Sequence, residues 1–122
     1  MMFTFIIILS VFFSSSSQLL LKKGAESLII PSDITIKDVF QLTIEMASNF
    51  YLVLGVIFQV IALLVWIYVL RKVDVSYAYP FISIGFVFVV VMGNVIYNEP
   101  VNTTKLLGCL IICLGVFTLS KS

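Results

Sequence analysis

Ser14, Ser15, Ser16, Ser17 and Gln18 form the densest run of hydrogen-bonding side chains in this sequence, and Lys22 and Lys23 follow one turn later. A serine needs an adjacent base to become a nucleophile, and none accompanies these: the chain has no histidine at all. No His, Cys and carboxylate residues stand at metal-ligand spacing, and there is no glycine-rich phosphate loop. Cys109 and Cys113 lie one helical turn apart in an apolar segment. A disulfide between them would strain a regular helix, so they read as small packing residues. No enzyme, metal or cofactor is expected. What the cluster can do is bind. Ser14, Ser17 and Gln18 offer hydroxyls and an amide to a polar head, and Lys22 offers an ammonium to an anion.

The surroundings decide what such a cluster means. Of 122 residues, 61% are hydrophobic and 11% charged, with a net charge of +1. Soluble domains are nearer half apolar and a quarter charged, and so small a net charge gives no reason to expect a nucleic-acid partner. The charges gather in short stretches around 22–45, 71–74, 99–105 and at 121. Between them lie apolar runs of about 20 residues, the length that crosses a ~30 Å hydrocarbon core as a helix. The pattern predicts an all-α membrane protein, a single domain of four transmembrane helices at about 2–21, 49–70, 77–97 and 103–119. The first run lacks a basic region before it, and its charges follow rather than precede it, so it reads as a retained helix rather than a cleaved signal.

The stretch 24–48 reads as an insertion between the first two spans. Ser32 or Asp33 is a candidate helix cap. Beyond them Ile36, Val39, Phe40, Thr43, Ile44 and Ala47 recur at three- and four-residue spacing, opposite Lys37, Asp38, Gln41 and Glu45. That suits an amphipathic helix on the membrane surface or on the bundle, or a helical extension of the next span. Gln59 is the one strongly polar residue inside the second span, and Trp66 and Tyr68 sit at aromatic-belt depth near its end. Pro80 falls near the start of the third span, where a missing N–H does least harm; an earlier helix start would turn it into a kink. Thr103 or Thr104 is expected to cap the last span. Gly108 and Gly115 are seven residues apart, on one face, as in many membrane helix contacts.

Orientation is poorly encoded. With the N-terminus inside, Arg71, Lys72 and Lys121 lie on one side, against Lys22, Lys23, Lys37 and Lys105 on the other. The positive-inside rule does not separate three from four. Either the chain inserts both ways and forms an antiparallel dimer, or a partner fixes it.

The C-terminal half carries a recognisable string. Residues 73–101, VDVSYAYPFISIGFVFVVVMGNVIYNEPV, resemble the drug/metabolite transporter superfamily, and within it the small four-helix subunits that flip aminoarabinose-phosphoundecaprenol. In those proteins a V-x-V-x-x-A-Y-P-x-x-S-x-x-F-V stretch leads into a helix ending in E-P-V. Here it is carried by Val73, Val75, Ala78, Tyr79, Pro80, Ser83, Phe86 and Val87, then Glu99, Pro100 and Val101. Residues 17–25 resemble their G-Q-L-x-x-K motif. The resemblance implies a multi-pass inner-membrane transport subunit for a lipid or lipid-linked sugar, working as a homodimer or as a heterodimer with a paralogous small subunit. It adds Tyr79, Ser83 and Glu99 to Ser14, Ser17, Gln18 and Lys22 as candidate substrate-binding residues, with Gly108 and Gly115 as the candidate dimer contact.

Gly108 to Val116 also resembles the helix-pairing motif of small multidrug resistance exporters. Those carry a membrane-embedded glutamate in the first helix. Aligned on the lysine, that place is Ser14 here, and the first helix has no acid. Proton-coupled cation export needs an ionisable group near the midplane, yet Glu26, Asp33, Asp38, Glu45, Asp74 and Glu99 all fall outside the predicted spans. A flippase subunit is therefore the first expectation. A small cation exporter and a non-transporting scaffold subunit are the alternatives. Each candidate also has a plainer reading: snorkelling for Lys22, helix–helix hydrogen bonding for Gln18, helix entry for Tyr79 and Pro80, an interfacial ion pair for Glu99, and packing within the chain for the two glycines.

Overall fold

A computed structural model describes residues 2–122. Its elements are helices: α1 (Met2–Glu26), α2 (Ile36–Ser48), α3 (Phe50–Lys72), α4 (Val75–Ala78), α5 (Ile82–Tyr97) and α6 (Thr103–Ser120), with a 3₁₀ turn at Tyr79–Phe81 between α4 and α5. Among the described residues four segments are long and apolar enough to cross a membrane: α1, α3, the α4–α5 segment Val75–Tyr97, and α6.

α1 is the axis of the bundle. It packs along α3 on one side and α5 on the other, while α6 rests mainly on α5. The core gathers at the end where α1 begins, from Ile7 and Val11 of α1, Val69 of α3, Ala78 of α4, Phe81 and Val116 of α6. Aromatic pairs extend the seams. Phe13 meets Phe58 of α3 with ring centroids 5.6 Å apart, and Phe12 meets Phe88 of α5 at 5.1 Å. Most other large apolar side chains are exposed, as expected where lipid rather than water is the solvent.

Element ends depart from the sequence expectation where capping chemistry decides them. α1 continues to Glu26, five residues past Leu21, because Lys22, Lys23, Ala25 and Glu26 are good helix formers that carry it through Gly24 and its end is tied down. Ser27 Oγ donates to the Gly24 carbonyl at 2.7 Å, and Asn49 Nδ2 donates to Ser27 Oγ at 2.7 Å. Asn49 also caps α3, its Oδ1 accepting from the Tyr51 and Leu52 N–H groups. α2 is capped by Thr35 rather than by Ser32 or Asp33. Of the three, only Thr35 has a carboxylate three residues on, and Asp38 completes a capping box. α2 is thus a separate helix with no buried residue, not an extension of α3. The third span begins at Val75, two residues early, so Pro80 lies inside it. With no N–H to give and a ring that crowds the preceding turn, Pro80 makes the chain tighten into the 3₁₀ turn. α6 is capped by Asn102, whose side chain accepts the Lys105 N–H at 2.8 Å, rather than by Thr103 or Thr104.

The Thr35 hydroxyl and backbone N–H, both donating to the Asp38 carboxylate, hold its pKa below the ordinary carboxylate value. A depressed pKa stabilises the folded helix above the unfolded-state value, and that contribution is lost as pH falls through the folded one. Acidification is therefore expected to fray α2 first. Protection of the amides at 36–42, taken relative to the intrinsic exchange rate at each pH, should fall at low pH in the wild type and should already be low, with little further change on acidification, in Asp38→Ala.

Candidate functional site

Along α1 a step of four residues advances the helix by slightly more than one turn, so Ser10, Ser14 and Gln18 form a nearly axial row. That row faces a gap between α3 and α5. The gap is a groove of about 620 Å³, with Ser10, Val11, Ser14, Ser15 and Gln18 on the floor, Gln59, Ala62, Leu63 and Trp66 on the α3 wall, and Ile82, Gly85, Phe86, Val89 and Val90 on the α5 wall. Apart from Val11 the floor is polar, and apart from Gln59 the walls are apolar.

The hydroxyls on the α3 side of the floor are spent on holding the walls. Ser10 Oγ donates to the Ala62 carbonyl at 2.9 Å, and Ser14 Oγ donates to Gln59 Oε1 at 3.2 Å. On the α5 side Ser15 sits directly beside Gly85, where a Cβ would meet the Ser15 hydroxyl and lie 3.0 Å from Val11 Cγ1. Glycine at this position lets α5 approach the floor. The amide nitrogens of Gln18 and Gln59 are different. Among the described residues neither has a hydrogen-bond partner in the protein, and both side chains are exposed. Lipid offers an amide nothing to bond, so these two donors are free for whatever enters the groove.

The expected site residues divide accordingly. Ser14 and Gln18 line the groove. Ser17 does not: it faces α3, where its carbonyl lies 3.2 Å from the Cβ position of Gly55, and its Oγ is wholly buried with no partner. The 100° turn per residue carries it off the row that Ser14 and Gln18 share. Tyr79 and Ser83 are not lining residues; Tyr79, the first residue of the 3₁₀ turn, is 62% exposed. Lys22 and Glu99 do not line the groove either; Lys22 stands one helical turn beyond Gln18, the last lining residue of α1, toward the α5–α6 turn. Its ammonium pairs with the Glu99 carboxylate and lies 4.7 Å from the centre of the Tyr97 ring. At Gly108 and Gly115 no atom of another described element lies within 4 Å of where a Cβ would be.

Gln59, Ser10, Trp66 and Phe86 belong to the groove without having been singled out for it. Gln59 had a signal, as the lone amide in an apolar span. Trp66 sits at belt depth, yet its ring faces inward.

No carboxylate lines the groove among the described residues. The arrangement suits an amphiphile, with an uncharged hydrogen-bonding part on the amides, apolar surface against the walls, and an anionic group at the Lys22 end.

Comparison with known proteins places the chain in a family. The sequence matches the model of the EamA-like transporter family over residues 1–121. It is 41% identical over 59 residues to a protein of Pseudomonas syringae pv. syringae, covering 48% of this chain and 55% of that one. It is 35% identical over 69 residues to one from an Enterobacter species, covering 57% and 64%, and 37% identical over 62 residues to one from Pseudomonas aeruginosa, covering 51% and 54%. All three are named probable 4-amino-4-deoxy-L-arabinose-phosphoundecaprenol flippase subunit ArnE. The matched stretch spans a little over half the length of these curated relatives. No solved structure matches the chain.

The groove depends on close approach at Gly85. Gly85→Leu is expected to push α5 off the floor, costing about 1–3 kcal/mol and lowering the melting temperature in detergent. Gly108→Leu, which meets open space, should leave the monomer's melting unchanged. Equal melting of both variants would contradict the packing described.

Proposed function

We propose that this chain, which belongs to the EamA-like transporter family, is a flippase subunit that carries the head of a polyprenyl-phosphate-linked sugar, or a related anionic lipid, across a bacterial inner membrane. The observation that carries the reading is the groove with a polar floor, apolar walls and two unpartnered amide donors, Gln18 and Gln59. Sugar hydroxyls accept such donors, and Trp66 on the wall offers an apolar face to a sugar ring. The polyprenyl chain stays among the exposed apolar helices, and Lys22 serves the phosphate at the groove's end. The named activity of the relatives supports the same reading. A cation exporter is less well served, because among the described residues no carboxylate lines the groove to hold a cation or exchange a proton.

Four helices with a groove open along one side form an incomplete path, so a second copy or a paralogous small subunit is proposed to complete it. The open faces of Gly108 and Gly115 on α6 allow a partner helix to come close.

Two outcomes are expected. With the chain reconstituted in vesicles, alone and with a co-expressed paralogue, Gln59→Leu should slow movement of a fluorescent polyprenyl-phosphate sugar by about tenfold or more, the loss of a buried hydrogen bond to the head. An unchanged rate in folded protein would remove the groove from the mechanism. Replacing Gly108 and Gly115 together with Leu should convert the dimer to a folded monomer in crosslinking and light scattering. A persisting dimer would place the contact elsewhere.

A further inference from the structure

The cation proposed to serve the substrate's phosphate is already occupied. Lys22 pairs with Glu99, the acid of the tight α5–α6 turn, and the turn is built to deliver that carboxylate. Asn98 takes a left-handed conformation (φ 54°), which asparagine tolerates. The Glu99 N–H then donates back to the Gly93 carbonyl at 3.2 Å, and Asn94 Nδ2 donates to the Glu99 carbonyl oxygen at 2.8 Å. With the backbone fixed, the carboxylate folds over Gly93, whose absent Cβ would lie 2.6 Å from Glu99 Oε2. On the other side Tyr97 donates its hydroxyl to the Leu19 carbonyl at 2.6 Å, setting its ring beside the Lys22 ammonium.

We infer that Glu99 is an internal stand-in for the substrate's phosphate: it holds Lys22 one turn beyond the groove's polar floor and is exchanged for the phosphate of a bound lipid. This rests on the flippase reading above and adds the step by which the site opens. Three observations support an exchange rather than a permanent strut. The pair is accessible, with side chains 41% and 36% exposed, and such pairs are weak enough to trade partners. A phosphodiester carries one negative charge, like the carboxylate it replaces, so charge at the groove's end is conserved. And a second cation stands close by, in the first turn of α6. Lys105 donates to the Pro100 carbonyl at 2.9 Å and has no carboxylate within ion-pair reach among the described residues. A swing of the Glu99 side chain from Lys22 to Lys105 leaves no charge stranded, and the anchored backbone need not move.

The test uses the full chain in a neutral detergent, with dodecyl phosphate (as its methyl diester, which carries one negative charge) and inorganic phosphate as probes. Wild type is expected to bind dodecyl phosphate and Glu99→Gln to bind it about three- to fivefold more tightly, the worth of the displaced exposed pair. Lys22→Gln should lose binding, and Lys105→Gln should weaken it. In the wild type, with glutamate carboxyl carbons labelled, the Glu99 resonance should shift on adding dodecyl phosphate while those of Glu26 and Glu45 stay still. That reading stands even if Glu99→Gln fails to fold. If Lys22→Gln loses binding but Glu99→Gln binds like wild type and the Glu99 resonance does not move, the exchange is overturned and the phosphate site survives. If dodecyl phosphate binds no form of the chain, the phosphate site at Lys22 falls, and the exchange with it. Inorganic phosphate, lacking a tail for the apolar walls, should shift nothing at the same concentration; an equal effect would mean that free phosphate, not a lipid, is the ligand.

Discussion

A membrane helix with polar side chains is best covered by other helices, because hydrocarbon offers no hydrogen bonds. That constraint shapes this fold. α1 holds Ser10, Ser14, Ser15, Ser16, Ser17 and Gln18, so it belongs at the centre, where α3 and α5 can cover it. Ser10 and Ser14 bond to α3, and Ser15 lies against Gly85 of α5. α3, α5 and α6 are nearly free of such groups and can face lipid. The groove follows from the same rule. α3 and α5 both grip α1 but scarcely touch each other, which leaves a strip of α1 open between them, and the side chains on that strip are polar.

The electrostatics are as local as the hydrogen bonds. Lys22 and Lys23 emerge together at the end of α1 and part company: Lys22 goes to Glu99 and Tyr97, while Lys23 lies 4.6 Å from the centre of the Tyr51 ring on α3. Both therefore fasten α1 to its neighbours as well as sitting at the interface. The near tie in Lys and Arg between the two sides fits cations placed for internal partners and ligand more than for topology. Exposed pairs of this kind contribute at most about 1 kcal/mol each, so helix packing carries the stability and the charges are available for function.

Much of this was legible in the sequence, and what was not has a common cause. Four spans and their approximate limits follow from hydropathy alone. Ser14 and Gln18 were identifiable because a polar row on a membrane helix has few explanations. Ser17 sits in the same run yet points elsewhere, because which of several adjacent serines faces a gap depends on where α3 lies, and one helix's pattern does not contain that. Gln59 shows the same limit. Its polarity was plain, but its pairing with Ser14, 45 residues away, is a property of two helices together. Tyr79 and Ser83 came from a resemblance to a motif, and here they stand outside the groove. Helix ends moved where a cap depended on its third neighbour, as Thr35 depends on Asp38.

The central claim is that a lipid's polar head travels along the floor of α1. Photo-crosslinking tests it most directly, using a polyprenyl-phosphate sugar with a photoreactive group on the sugar, incubated with the chain in nanodiscs and mapped by mass spectrometry. Adducts are predicted to concentrate at residues 10–18 of α1 and 59–66 of α3. Adducts spread evenly over the lipid-facing residues, or gathered on the open face of α6, would contradict it.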